Sequence, residues 1–115
     1  MTTIFGIPNC DTVKKARQWL ANQGHEARFH DFRKDGLEAA QFGRWYATLG
    51  DNLINRRGTT WRGLGADVQA SAAQAAGATA LAQAHPAVIK RPVVEWPDGS
   101  VTVGFDATEW LQRLG

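Results

Sequence analysis

Residues 2–32 change hydrophobic period twice, and this limits the folds open to the chain. TTIFGI (2–7) is rich in β-branched and aromatic residues, the composition of a short strand. Beyond it, Val13, Ala16 and Leu20 recur at helical spacing, with Asp11 or Thr12 as N-cap and Gly24 as the C-terminal stop. EARFHDF (26–32) then alternates, with Ala27, Phe29 and Asp31 on one face and Arg28, His30 and Phe32 on the other. That is the period of a second strand. A strand–helix–strand unit of this kind implies parallel pairing through a right-handed crossover.

The end of the chain has the opposite character. RPVVEW, PDGS and VTVGF spell an antiparallel hairpin turning at Asp98-Gly99, and Asp106 caps a last helix in DATEWLQRLG. Between the two halves the pattern is helical. Leu37, Phe42, Trp45, Tyr46 and Leu49 form a stripe ending at Gly50. DNLINRRGTTWRGLG is irregular, with a short helical turn at most. Residues 70–84 read as one helix stopped by His85-Pro86. The order β-α-β, helical middle, β-β-α matches an α/β thioredoxin-like plan with a mixed sheet and a helical insert at about residues 36–88. At 115 residues the chain is long enough for one such domain spanning 1–115 and too short for two.

Formal net charge is +2, too small for a polyanion track, so no nucleic-acid partner is expected. The basic residues nevertheless cluster, in KKAR (14–17), at Arg56-Arg57 with Arg62, and at Lys90-Arg91, which fits a local anion site. The start has no signal-peptide pattern and no run of 18 apolar residues occurs, so neither secretion nor a membrane partner is expected. A single cysteine cannot form an internal disulfide, and the expected compartment is the reducing cytoplasm.

That cysteine, Cys10, sits in IFGIPNCDTVKKA at the corner between the first strand and the first helix. An unpaired cysteine is commonly a small buried hydrophobe. The position argues otherwise, because a helix N-terminus presents orphan N–H groups and about half a positive charge, which favour a thiolate. Lys14 and Arg17 follow closely enough to add positive potential. Asn9 and the amides of Asp11 and Thr12 are candidates to stabilise charge at the sulfur or on an oxyanion. Three residues after Cys10 stands Val13, so the motif is C-x-x-V and a resolving thiol must come from outside the chain. Cys10 with the scattered His25, His30 and His85 offers no metal-ligand spacing, and no metal is expected.

Arg91-Pro92 opens the third strand. In the bland reading proline starts a strand where no ladder N–H is needed. In the thioredoxin-like plan a cis proline precedes this strand and faces the nucleophilic cysteine, which would aim the Arg91 guanidinium fork at an anion near Cys10. Arg56 and Arg57 are either a solvated basic loop or a pair suited to an oxyanion or a carboxylated thiol.

IFGIPNCDTVKKARQWL, LINRRGTTWRGLG, HPAVIKRPVVEWPDG and VTVGF, collinear over nearly the whole chain, resemble the arsenate reductase-like family of ArsC, Spx and YffB proteins, most closely its YffB branch. The resemblance implies a nucleophilic Cys10, an anion-binding Arg91 and a structural cis proline at Pro92. In classical arsenate reductases a second arginine falls by spacing on Asn55, beside Arg56 and Arg57, and a third falls near Gly104. The missing third arginine weakens the case for arsenate. Spx-type regulators use a C-x-x-C switch and bind RNA polymerase, and Val13 removes that switch. The expectation that remains is an oxidoreductase: a monothiol reductase with no bound cofactor, glutathione as co-substrate and a small anionic or disulfide substrate. Arsenate reduction with glutathione and glutaredoxin, and a Spx-like non-catalytic module binding a transcription partner, are the alternatives.

Overall fold

The computed structural model describes residues 1–114. The chain divides into two units, Met1–Phe32 with the segment from Arg91 onward, and Arg33–Lys90. The first holds a four-stranded mixed sheet in the order β2-β1-β3-β4, built from β1 (Thr2–Gly6), β2 (Ala27–Asp31), β3 (Val93–Glu95) and β4 (Val101–Val103). β1 pairs with β2 in parallel and with β3 antiparallel, and β3 pairs with β4 antiparallel. This is the thioredoxin-like arrangement, with parallel pairing where the period change falls and a hairpin at the end.

Helices α1 (Asp11–Asn22) and α7 (Ala107–Leu114) pack on one sheet face. Ile4, Ala16, Leu20, Val94, Trp96 and Trp110 are its buried core, with Phe29 and Phe105 against them. Trp110 meets Trp96 edge-on at 5.1 Å and Phe105 at 4.8 Å, geometries that add to area burial. The opposite face carries Phe5, His30 and Phe32, as β-alternation requires: Phe5 lies 5.0 Å from the His30 ring and 6.3 Å from that of Phe32.

Helix α1 ends in a Schellman motif. The N–H of Gly24 donates to the carbonyl of Ala21 and that of His25 to the carbonyl of Leu20, both at 3.0 Å, with Gly24 at φ 68°. The hairpin closes through a Trp96 N–H to Ser100 carbonyl bond of 2.9 Å, with Gly99 at φ 89°. Asp98 accepts from the Ser100 hydroxyl at 2.6 Å and from its N–H at 2.9 Å, and these bonds hold the exposed carboxyl below the ordinary carboxylate value. Asp106 caps α7 as expected, accepting from the Glu109 N–H at 3.1 Å.

The second unit contains α2 (Phe32–Asp35, whose first residue belongs to the first unit), α3 (Ala39–Leu49), α4 (Thr59–Arg62), α5 (Ala66–Ser71), α6 (Ala75–Ala84) and two 3₁₀ turns, Gly50–Leu53 and Pro86–Val88. Phe42 and Trp45 of the expected stripe are buried, whereas Leu37 precedes the helix. The cause is local: Gly36 at φ 81° and an extended Glu38 delay the helix to Ala39. Leu53 and Lys90 are joined by a 2.7 Å backbone bond, as are Asn55 and Val88, which tie the irregular loop to the segment before β3. Among the described residues no helix is long and apolar enough to cross a membrane.

The single helix expected at 70–84 is a pair, α5 and α6, broken at Ala72–Gln74. Gln74 is extended, at φ −120° and ψ 150°, and Ala72 is fully buried with its carbonyl accepting from the Tyr46 hydroxyl at 3.0 Å. Gly77 lets α6 close against α5, since a Cβ there would overlap the Ser71 carbonyl oxygen. Tertiary packing thus overrides strong alanine helix propensity. Gly77→Ala is therefore expected to destabilise the chain by about 1–3 kcal/mol in chemical denaturation. Gly43→Ala in α3, where nothing lies within 4 Å of the new methyl, should stabilise it by about 0.5–1 kcal/mol. Equal shifts for the two glycines would contradict the packing account.

Candidate functional site

The site is built at the end of β1. Ile7 to Cys10 forms a tight turn in which the Cys10 N–H donates to the Ile7 carbonyl at 3.2 Å, with Pro8 at the position where its fixed φ suits such a turn. The chain then enters α1, and the Lys14 N–H donates to the Cys10 carbonyl at 3.0 Å. Cys10 itself is the N-cap, at φ −92° and ψ 125°, with no side-chain capping bond; the expected caps, Asp11 and Thr12, are the first two helical residues. The turn starts the helix one residue earlier than side-chain preference suggests. Cys10 is a free, half-buried thiol, while Asn9, Asp11 and Thr12 are exposed around it. The first N–H groups of α1 have no acceptor within the helix, so donors converge on the mouth of this turn.

Gly6 makes that geometry possible. It is buried, and a Cβ built on it would stand 2.8 Å from Cγ2 of Val13, itself fully buried. The sequence placed Val13 on the apolar stripe of the first helix and at the second position of a would-be C-x-x-C pair, and its burial bears out the stripe. In the structure it is the residue that wedges α1 against β1.

Arg91 and Pro92 belong to the same unit as Cys10. The β1–β3 register pairs Phe5 with Val93, and continued by two steps it brings Gly6 level with Pro92 and Ile7 level with Arg91. The Arg91–Pro92 peptide bond is cis. Arg91 is half-buried and its Nε is shielded from solvent. Gly104, where the third arginine of arsenate reductases would fall, has φ 86° and donates its N–H to the Pro92 carbonyl at 2.9 Å. A left-handed backbone favours glycine over any side chain.

The loop arginines differ from each other. Arg56 is committed: its Nη2 lies 2.9 Å from Asp51 Oδ1, and its guanidinium carbon is 5.1 Å from the centre of the Trp61 ring. The Arg57 guanidinium is exposed and has no ion pair or hydrogen bond among the described residues. Asn55 shapes the turn that carries them, accepting from the Arg57 N–H at 3.3 Å through its side chain and from the Gly58 N–H at 3.2 Å through its carbonyl. At this position, then, the chain places a turn-builder in the slot of an arginine. An Asx signal, Asn two residues before the bonded N–H, is what could have shown it. The three histidines do not gather: His25 is bonded through Nε2 to Thr2 at 2.7 Å, and His30 packs on Phe5. Among the described residues no group of three or more His, Cys, Asp or Glu could hold a metal.

Comparisons with known proteins place the whole chain in a family. The model of the ArsC family matches residues 5–113. The chain belongs to the ArsC family. It is 42% identical to an uncharacterized protein of Haemophilus influenzae over 96% of both chains. Among solved structures it is similar to a YffB protein, at 37% identity over all of both chains with a TM-score of 0.93. An arsenate reductase-related protein of Brucella melitensis shares 44% identity, over 98% of this chain and 93% of that one, with a TM-score of 0.76.

The Gly6–Val13 contact yields a stability prediction for this ArsC-family chain. Gly6→Ala should cost about 1–3 kcal/mol through overpacking, and Val13→Ala should cost a similar amount through cavity formation. The double variant should lose less than the sum of the two by more than about 0.5 kcal/mol, since each change relieves the other. Strict additivity in denaturant titrations would show that the two residues do not press on one another.

Proposed function

We propose that this ArsC-family chain is a monothiol reductase acting through Cys10 with glutathione as co-substrate. The observation that carries the proposal is the position of the only cysteine, half-buried at the N-cap of α1 beside the register level of Arg91-Pro92. Cys10 Sγ, as thiolate, attacks one sulfur of a disulfide; the new S–S bond forms as the old one breaks, and the displaced thiolate leaves. With no second cysteine, glutathione thiolate attacks the substrate sulfur of the mixed disulfide, forming a glutathione–substrate disulfide as Cys10 thiolate leaves. A second glutathione thiolate releases the substrate thiol and leaves as glutathione disulfide. In the cell a reducing cytoplasm would sustain this cycle, and glutaredoxin is a suitable protein thiol for the same resolving step.

The groups of the first unit near Cys10 have proposed roles. The N–H groups of Asp11 and Thr12 and the Asn9 side chain stabilise negative charge where sulfur develops it. Arg91 holds a carboxylate by its planar fork. Within the second unit, described by itself, Arg57 is the loop arginine with an exposed guanidinium able to take an anion, since Arg56 is engaged with Asp51 and Trp61.

Gly104 argues for a disulfide substrate over arsenate. Its positive φ and its bond to Pro92 fill the place of a third oxyanion-binding arginine. The fully buried Val13 equally occupies the place of a redox-switch thiol.

Incubation with glutathione disulfide should give one glutathione adduct by intact mass, and Cys10→Ser should abolish it. Arg91→Lys should slow adduct formation about tenfold, the scale of one charge-assisted hydrogen bond. The same variant should keep its rate with neutral iodoacetamide and its thermal midpoint. Efficient glutathione-dependent arsenate turnover by the unmodified chain, or an adduct rate indifferent to Arg91→Lys, would contradict the reading.

A further inference from the structure

A second feature of the first unit lies outside the Cys10 turn. A cleft of about 650 Å³ runs along α1 on the β2 side, between Lys14, Arg17 and Gln18 of the helix and Glu26, Ala27 and Phe29 at and just before the start of the strand, with Ile4 and Leu20 at its base. Its size is that of a small-molecule site. The Arg17 guanidinium lies over the Phe29 ring, 4.2 Å from its centre, which leaves the N–H edge of the fork free. Among the described residues neither Arg17 nor Lys14 forms an ion pair. Glu26 is the one carboxylate in the lining, and His25 is held by Thr2. Because α1 runs opposite to β2, Lys14 and Arg17 lie toward the Cys10 end, with Glu26 at the far end.

Helix geometry connects this cleft with the cysteine. Positions 10, 14, 17 and 21 fall on one face of α1, and a rise of 1.5 Å per residue puts Arg17 about 10 Å along the axis from Cys10. A molecule whose sulfur meets Cys10 and whose body follows the helix would pass Lys14, then Arg17, toward the apolar surface of Ala21, Ala27 and Phe29. An ammonium or neutral polar body would leave both cations unanswered. A carboxylate satisfies them, and the Phe29 side favours an aromatic or aliphatic frame.

We infer that the cleft is the substrate-body site of the reductase, and that its disulfide substrates carry a carboxylate on an apolar or aromatic frame, held by Arg17 and Lys14. This rests on the proposed chemistry of Cys10 and adds the substrate class. The step is the exchange already described: Cys10 Sγ bonds to the substrate sulfur, and the partner sulfur leaves as thiolate.

Two measurements test it separately from that chemistry. The first titrates the Cys10→Ser chain with phenylpropionate, or with neutral phenylpropanamide, and follows amide chemical shifts. Saturable shifts should centre on residues 14–21 and 27–29 for the carboxylate, with roughly tenfold weaker binding for the amide. The second compares rates of Cys10 in the full chain with a nitrobenzoate disulfide and with neutral dipyridyl disulfide. Arg17→Gln should slow the first about tenfold and the second less than about twofold. Arg28→Gln removes the same charge from an exposed position outside the cleft lining and should leave both rates unchanged.

Equal binding of acid and amide, shifts outside the cleft, or equal slowing by Arg17→Gln and Arg28→Gln would each overturn the cleft assignment while leaving the reductase reading intact. If Cys10 reacts with neither disulfide, the reductase reading falls, and the substrate class falls with it.

Discussion

The close approach of β1 and α1 at Gly6 and Val13 is the constraint on which the site depends. A glycine without a Cβ lets a buried valine seat against the end of the strand, and this sets where the helix can begin. The Ile7–Cys10 turn connects them, with the cysteine N–H turned back to Ile7 and its carbonyl accepting from Lys14. Cys10 therefore stands at the cap through the packing of its neighbours and forms no side-chain bond of its own there.

The same logic extends to the strand beside it. Continued register aligns Arg91-Pro92 with Ile7 and Gly6, and Gly104 is tied to the Pro92 carbonyl. The end of the sheet is thus a small set of backbone segments, each pinned by the next. The chain belongs to the ArsC family, and its departures from the patterns expected of arsenate reductases (Asn55, Gly104) and of Spx-type regulators (Val13) are structurally coherent. Gly104 has a left-handed backbone, Asn55 builds a turn, and Val13 is core. Each replaces a reactive or charged group by one with a packing or conformational task.

Charge is distributed by commitment as well as by sequence. Arg56 spends its guanidinium on an exposed pair with Asp51, of a kind that adds little to stability, while the charged groups of Arg57, Lys14 and Arg17 form no ion pair among the described residues. Arg17 over Phe29 is a packed cation with donors to spare. Two adjacent arginines in a sequence are therefore different instruments once the chain is folded.

By itself the sequence determined the strand–helix–strand start, the terminal hairpin and the Asp106 cap, because local period, turn chemistry and capping are set by neighbouring residues. It also singled out Cys10, the only thiol, and the Arg91-Pro92 step. Only the tertiary structure decided that Cys10 and neither Asp11 nor Thr12 caps α1, since that follows from a strand end and a buried valine meeting. It likewise decided that residues 70–84 are two helices: alanine-rich sequence favours continuity, and the break exists because Gly77 permits a backbone contact with Ser71 while Tyr46 reaches Ala72. The α1–β2 cleft was illegible for the same reason. Its walls are contributed by segments whose spacing is set by sheet pairing, and no local pattern along the chain records a gap between them.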